Sequence, residues 1–281
     1  IYEGLHKQGI KIDRISGISI GALNTAIIAG NRPENRLAAL QGFWNTITHR
    51  NYTPAGMNVY RQTANELDKL SKIDMVSHFM PWIFENGFLK QQLRVMESTA
   101  EAWQTMIEGQ RGFFKPRYFV PYDTTPNHLS YYTTDKLRET LERYCDLKLV
   151  NDVNRMKVSV SAVNVRNGNF AIFSNENEEL HYDHFIASGA LPPGFPAVEI
   201  DGEYYWDGGL VSNTPLQYVL DQPGKQRRVV FQVDLFAAHG ALPATLAEVV
   251  EREKDIRFSS RTRLNTTNEM DRQVVAQAAQ R

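Results

Sequence analysis

The sequence predicts an α/β fold in which helices and strands interleave within a single domain spanning residues 1–281. Two observations support this prediction. A short apolar segment, a glycine-bounded turn and an apolar helical segment follow one another at residues 10–29. Strand-like segments separated by turn signals occupy residues 157–206, with helical spacing on both sides of them. Interleaved helices and strands are typical of α/β domains, here with some antiparallel hairpins.

The composition is that of a globular protein and excludes several kinds of partner. The 281 residues are 42% hydrophobic and 22% charged, enough for a large core. A net charge of −1 gives no basic field for nucleic acid. The single cysteine, Cys145, excludes an intramolecular disulfide and a cysteine-based zinc site. No apolar run reaches about 18 residues, so we expect no transmembrane span.

The first elements are a helix end, a strand and a buried helix. Residues 1–8 are predicted to be helical and to end at Gly9, which suits a left-handed cap. Apolar residues at positions 10, 12 and 15 predict a short strand. Residues 20–29 predict a buried helix, which Gly30, Asn31 and Pro33 bring to an end.

The turn between this strand and this helix has the pattern Gly17-x-Ser19-x-Gly21. The pattern is typical of a nucleophile elbow, where a serine lies on a strained turn with its hydroxyl exposed. Glycines tolerate the unusual backbone angles and the close passage of strand and helix. A turn with an inert serine is the alternative, because a chance match in such a chain is roughly a one-in-ten event.

Residues 36–140 are predicted to form a largely helical insertion rich in methionine and aromatic residues. Helical spacing recurs over residues 37–47 and 93–107, whereas residues 115–132, which contain several prolines, predict a loop. Five of the seven methionines lie in the insertion: Met57, Met75, Met80, Met96 and Met106. Soft, aromatic-rich helices suit an adaptable apolar site, and an ordinary helical core is the alternative.

After the insertion, a helix over residues 137–145 leads into a hairpin. Apolar residues at positions 158, 160 and 162 alternate with serines and predict a strand. Asn167-Gly168 is a strong hairpin signal, and residues 170–173 predict the returning strand.

The last elements are a helix, a second hairpin, a strand and a terminal helix. Residues 182–190 predict a helix, and residues 198–206 predict a hairpin that turns at Asp201-Gly202. The apolar run at residues 228–236 predicts a strand covered on both faces. Residues 243–281 predict a helical extension.

Asp207-Gly208-Gly209 follows the second hairpin directly. Thr214 and Pro215 predict the start of a helix, so Asp207 is expected on a loop between a strand and a helix. Two glycines allow a tight backbone that aims the carboxylate. An isolated Asp-Gly-Gly is also a common turn, which is the alternative interpretation.

Together, these motifs resemble the patatin-like phospholipase family. They are Gly17-x-Ser19-x-Gly21, Asp207-Gly208-Gly209 and, between them, Ala187-Ser188-Gly189-Ala190-Leu191-Pro192. Residues 185–216 are similar to bacterial members, and the resemblance is looser in the insertion and past residue 240. It implies a three-layer α/β fold with a mostly parallel central sheet and a bacterial source.

The resemblance implies a Ser–Asp dyad, with Ser19 as nucleophile and Asp207 as general base, that cleaves phospholipids or related acyl esters. An aspartate with its ordinary pKa near ~3.9 is a weak base, and burial that raises this pKa improves it. The backbone N–H of Ile20, which follows Ile18 and Ser19 in the elbow, is a candidate oxyanion donor. In the family a glycine-rich loop supplies further donors, and we expect that loop upstream of Ile1.

Three alternatives stay open at this point. His239 would complete a Ser-Asp-His esterase in the order Ser19, Asp207, His239. His181 and His184, with Asp183, would bind a metal, but two histidines without a third well-placed ligand are more typical of capping or surface residues. If the glycine-rich loop is absent, a catalytically weak lipid-binding protein is the third.

We expect no metal and no organic cofactor. The expected substrate is a lipid or acyl ester met at a membrane or micelle surface, with the protein in the cytoplasm or peripheral to a membrane and no nucleic acid as partner. Residues 75–120 are expected to border the acyl pocket that opens at Ser19. Within that range the candidates are Met80, Trp82, Phe84 and Phe88.

Overall fold

The structure is a computed structural model that describes residues 1–48, 109–110, 112–117, 125–212, 215–222 and 229–278. Its helices are α1 (Tyr2–Lys7), α2 (Ile20–Ala29), α3 (Arg36–Thr48), α4 (Asp135–Tyr144), α5 (Leu147–Val150), α6 (Tyr182–Ser188), α7 (Leu216–Asp221) and α8 (Leu246–Ala278). Its strands are β1 (Arg14–Ile18), β2 (Lys115–Pro116), β3 (Tyr132–Thr133), β4 (Lys157–Asn164), β5 (Phe170–Ser174), β6 (Val198–Ile200) and β7 (Glu203–Asp207). Short 3₁₀ turns lie at Pro126–His128 and Gly208–Leu210.

Strand β4 is the centre of a five-stranded sheet. β5 pairs antiparallel with one edge of β4. On the other edge, β1 pairs parallel and ends with Ile18 opposite Ser161. β7 continues along that same edge in the antiparallel direction and ends with Asp207 opposite Ala162. The carboxyl ends of β1 and β7 therefore face each other across one residue step of β4.

The α/β class is confirmed, with one refinement to the expected sheet. β1 with β4 is the parallel pair, whereas β4 with β5, β4 with β7 and β6 with β7 are antiparallel in the part of the chain that the structure describes. The sheet is therefore mixed rather than mostly parallel. The two predicted hairpins form, with Asp201 (φ 52°) and Gly202 (φ 79°) in the left-handed turn between β6 and β7.

The core forms where α2 and α6 pack against the sheet. Helix α2 has the predicted bounds and is almost entirely apolar, and a helix of this kind is stable only when buried. Side chains from α2, β4 and α6 that are fully or almost fully buried form this core. They are Leu23, Ala26 and Ile27 of α2, Val158 and Val160 of β4, and Phe185 of α6. The elements that flank Ser19 are thereby fixed by packing.

Strand β1 begins at Arg14, four residues later than the strand predicted at residues 10–15. The N–H of Ile10 donates to the carbonyl of Leu5 at 3.0 Å, so Ile10 belongs to the end of α1. Pairing with β4 begins at Arg14 and runs to Ile18. The local sequence does not show that β4 is the pairing partner. Pairing with β4 places the strand directly before the turn at Ser19.

The strand predicted at residues 228–236 is wrong for residues 229–236, which form no strand. Val229, Phe231 and Leu235 are exposed, whereas a strand covered on both faces buries such residues. A strand needs a neighbour for its backbone N–H and C=O groups, and none of the described strands pairs with this segment. It contacts α8 instead, where Phe236 stacks on Phe258 with ring centroids 4.7 Å apart.

The predicted helical insertion falls mostly outside the described residues. α3 lies at its start and covers the helical spacing predicted over residues 37–47, and α4 begins at its end. β2 pairs with β3, and both strands begin within the segment predicted as a loop. The expected helix at residues 93–107 and the candidates Met80, Trp82, Phe84 and Phe88 lie outside the described ranges, and so does Thr214. α7 begins at Leu216 with Pro215 as its N-cap, one residue later than predicted.

The C-terminal extension contains one long helix, α8. Its buried residues include the polar Ser259, Thr262 and Glu269, whereas Leu246 and Val250 are exposed. None of the helices within the described ranges combines the length and the apolar character that crossing a membrane requires.

Candidate active site

Ser19 lies between β1 and α2 with a backbone conformation of φ 55° and ψ −125°. L-amino acids rarely adopt a positive φ with this ψ, and such strain is typical of functional sites. Gly17 makes the turn possible, because a Cβ there would lie 2.4 Å from the carbonyl oxygen of Gly21. No close contact requires a glycine at position 21, since a Cβ on Gly21 would meet nothing within 4 Å.

Ser19 and Asp207 are joined by a short hydrogen bond. Ser19 Oγ donates to Asp207 Oδ2 at 2.6 Å, although 188 positions separate the two residues in the chain. Asp207 Oδ1 accepts the N–H of Gly209 at 2.7 Å, so both carboxylate oxygens are fixed. Gly208 must be glycine, because its Cβ would lie 2.6 Å from the carbonyl oxygen of Ser161. The Asp-Gly-Gly motif thus aims the carboxylate at the serine.

Burial raises the pKa of Asp207 from 3.8 to about 6, while the hydrogen bonds from Ser19 and Gly209 lower it in part. The side chain is only 2% exposed, so desolvation of the carboxylate is the main cause. At neutral pH the group is still ionised, and it is a stronger base than an exposed aspartate.

The N–H groups at the start of α2 are candidates to bind an oxyanion. The N–H of Ser19 itself is occupied, because it donates to both the carbonyl and the hydroxyl oxygen of Ser188 at 3.1 Å. Among the described residues, the N–H groups of Ile20 and Gly21 have no acceptor. They lie at the positive end of the helix dipole, where a negative charge is stabilised.

Ser188 contacts Ser19, and Ala190 contacts Asp207. The sequence analysis assigned no role in the site to either residue. Ser188 accepts the N–H of Ser19, and the carbonyl of Ala190 accepts the N–H of Asp207 at 3.0 Å. The Ala187–Pro192 motif, which supported only the family resemblance, is the sequence signal that could have pointed to these two residues. Backbone bonds such as that of Ala190 leave no residue-type signature, which is why they were missed.

None of the histidines in the described residues forms a hydrogen bond with either member of this pair. His239 is exposed and makes no hydrogen bond with Ser19 or Asp207. His184 Nδ1 accepts the N–H of His181 at 2.8 Å at the start of α6, and burial lowers the pKa of His184. In the described parts of the chain, no three His, Cys, Asp or Glu residues are grouped as a metal site would require.

Comparisons with known proteins identify the family of the chain. Residues 1–220 match the family described as patatin-like phospholipase. Among solved structures, VipD from Legionella pneumophila is similar, with 17% identity and a TM-score of 0.32. The alignment covers 76% of this chain and 43% of VipD, so the chain spans less than half the length of that structure. No curated protein matches the chain.

The family match spans both motifs and most of the chain. It includes the elbow at Ser19, the Asp-Gly-Gly motif at Asp207 and the segment between Ala187 and Pro192. The resemblance seen in the sequence is therefore confirmed, and with it the three-layer α/β fold. The chain belongs to the patatin-like phospholipase family, a family of lipid acyl hydrolases.

Proposed function

We propose that the protein hydrolyses carboxylic ester bonds of phospholipids or related acyl esters through an acyl-enzyme on Ser19, with Asp207 as the general base. The observation that carries the proposal is the 2.6 Å hydrogen bond from Ser19 Oγ to Asp207 Oδ2 at a strained elbow. A serine hydroxyl needs an adjacent base to act as a nucleophile, and Asp207 is the titratable group in contact with it.

In the first half of the reaction, Asp207 Oδ2 takes the proton of Ser19 Oγ as that oxygen attacks the ester carbonyl carbon. The carbonyl oxygen becomes an oxyanion that accepts hydrogen bonds from the start of α2, with the N–H of Ile20 as the leading donor. The intermediate then collapses and breaks the bond to the alcohol oxygen. That oxygen leaves with the proton held by Asp207, and the acyl group stays on Ser19.

In the second half, a water molecule attacks the acyl carbonyl carbon and Asp207 takes its proton. A second oxyanion forms at the same donors and collapses, which breaks the bond to Ser19 Oγ. The serine oxygen recovers its proton from Asp207, and the fatty acid is released. The same carboxylate acts as base and then as acid in each half, which a pKa of about 6 favours near neutral pH.

Exposed apolar side chains beside the dyad support a lipid substrate. Leu210 and Val211 follow the Asp-Gly-Gly motif, and Leu191 follows Ala190, whose carbonyl binds Asp207. These three side chains are 37%, 47% and 42% exposed, respectively. An apolar surface at this place suits an acyl chain or a lipid aggregate better than a small polar ester. We therefore propose that the protein acts at membrane or micelle surfaces.

The test is hydrolysis of a p-nitrophenyl acyl ester and of phospholipid vesicles by four proteins. Wild type should be active, and Ser19→Ala and Asp207→Asn should each lose about 10³-fold or more in kcat. His239→Ala is the control and should retain its rate, because His239 is exposed and forms no hydrogen bond with either residue. A near wild-type rate in Asp207→Asn contradicts the proposal. A loss in His239→Ala as severe as in Ser19→Ala would favour the Ser-Asp-His alternative.

A further inference from the structure

We propose that Ser188 is a positioning residue for the Ser19 nucleophile, and that Ser188-Gly189-Ala190 holds both members of the dyad at their distance. This inference rests on the proposed Ser19–Asp207 chemistry. The segment joins the end of α6 to the loop before β6. It contacts Ser19 through Ser188 and Asp207 through Ala190, two residues further along the chain.

The hydroxyl of Ser188 both donates and accepts a hydrogen bond. It donates to the carbonyl oxygen of Ser161 at 2.7 Å and accepts the N–H of Ser19 at 3.1 Å. A hydroxyl has one proton and two lone pairs, so the bond to Ser161 orients a lone pair toward Ser19. Ser188 is completely buried, and water cannot replace either bond.

Ser19 needs such a partner because its backbone is strained. A residue at φ 55° and ψ −125° keeps that conformation only where its surroundings enforce it. Its N–H is shared between the carbonyl and the hydroxyl of Ser188. A relaxation of Ser19 toward an ordinary conformation would break both bonds, and Oγ would turn away from Asp207.

The segment is itself anchored at the point where β1 and β7 meet. Gly189 and Ala190 donate backbone bonds to Ile186 and Ala187 at 3.0 and 3.1 Å, which close the last turn of α6. Ser161, which accepts from Ser188, lies opposite Ile18 on β4. Residue Ala162, the next on β4, lies opposite Asp207. Ser188 thus connects α6, β4 and the elbow.

The experiment compares Ser188→Ala with Ser174→Ala. Ser174 is an equally buried serine at the end of β5, and its Oγ accepts a local N–H, that of Glu176, at 3.2 Å. Active sites are counted by end-point titration of Ser19 with a fluorophosphonate, and kcat is expressed per titrated site. Ser188→Ala should lose about tenfold or more in kcat per site with KM little changed, as small misplacements of reacting groups do. Ser174→Ala should keep its kcat per site.

Rescue by a conservative variant separates positioning from packing. Ser188→Thr retains the hydroxyl and should recover most of the lost kcat. Ser188→Cys retains the volume with a poor acceptor, so it should lose kcat even if Ser188→Ala fails to fold. An unchanged kcat per titrated site in Ser188→Ala or Ser188→Cys would overturn the inference, if the variant loses only titratable sites or Tm.

The failure of the inference differs from the failure of the proposed function. If the fluorophosphonate labels wild-type Ser19 but all Ser188 variants match Ser174→Ala in kcat per site, only the inference is overturned. If wild-type Ser19 is neither labelled nor needed for hydrolysis, the proposed function is overturned and the inference with it.

Discussion

Asp207 determines the pH dependence that we expect of the enzyme. A general base must be ionised, and burial holds the pKa of this carboxyl at about 6. kcat/KM for a neutral ester should therefore rise with pH through about 6 and level off above it. The measurement is the pH–rate profile of wild type, with His239→Ala as the control that should give the same midpoint. A profile that is flat from about pH 5 to 7 would contradict the role of Asp207.

The strain at Ser19 can be measured by comparing two substitutions. Glycine adopts φ 55° and ψ −125° without penalty, whereas alanine keeps the Cβ that causes the strain. Ser19→Gly should therefore be more stable than Ser19→Ala by about 1 kcal/mol or more. Urea unfolding of both variants gives the difference. At Ser174, the last residue of β5, the order should be reversed, because glycine weakens a strand.

Gly17 and Gly21 are expected to differ sharply, although one motif contains both. A Cβ on Gly17 would lie 2.4 Å from a backbone oxygen of α2, so Gly17→Ala must displace the helix from β1. We expect Gly17→Ala to lose about 1–3 kcal/mol of stability, as overpacked cores do. Gly21→Ala meets nothing within 4 Å and lies in the first turn of α2, so it should be neutral or slightly stabilising. Equal losses in urea unfolding would show that the strand–helix contact is not the reason for Gly17.

Elements with local signals could be predicted from the sequence, and elements that depend on distant partners could not. α2 has the predicted bounds because its apolar residues, its elbow and its terminating glycine are all local. β1 was placed four residues early because its register is set by β4, which lies more than a hundred residues later. The segment at residues 229–236 has the composition of a strand, but none of the described strands pairs with it. Composition alone cannot show whether a pairing strand is present.

The site follows the same division. Ser19 and Asp207 were predicted as a pair because their two glycine motifs together resemble the patatin-like phospholipase family, and that resemblance implies a Ser–Asp dyad. Their contact with Ser188 and Ala190 was not predicted, because a carbonyl oxygen is present in every residue and only the fold selects which one is used. The Ile20 N–H was a candidate from the start, whereas the occupied N–H of Ser19 became apparent only in the structure.

The free energy of unfolding of the whole protein should depend on pH through one buried carboxylate, that of Asp207. The pKa of Asp207 is higher in the folded protein than in the unfolded chain, so between about pH 4 and 6 the folded state holds a proton that the unfolded state has released. Stability due to this group is therefore present at low pH, falls as pH rises through this window, and stays lower above it.

Asp207→Asn removes that titration while it keeps a group able to bond to Ser19 and Gly209. The variant should be more stable than wild type at neutral pH, by up to about 3 kcal/mol. The difference should shrink toward zero below about pH 4. Tm measured across this range tests it, with His239→Ala following wild type. A variant that is less stable than wild type at pH 7 would contradict the desolvation of Asp207.

β1 and β7 meet on one edge of β4, so the distance between Ser19 and Asp207 does not depend on how many residues separate them in the sequence. Ile18 and Asp207 lie opposite neighbouring residues of β4, so one peptide step of that strand sets their separation, about 3.3 Å of rise. Both strand ends are placed by pairing with β4, so the number of residues between α3 and α4 does not set their separation. Residues could therefore be inserted or lost between α3 and α4 while the register of β1 and β7 on β4 keeps the reacting atoms in place.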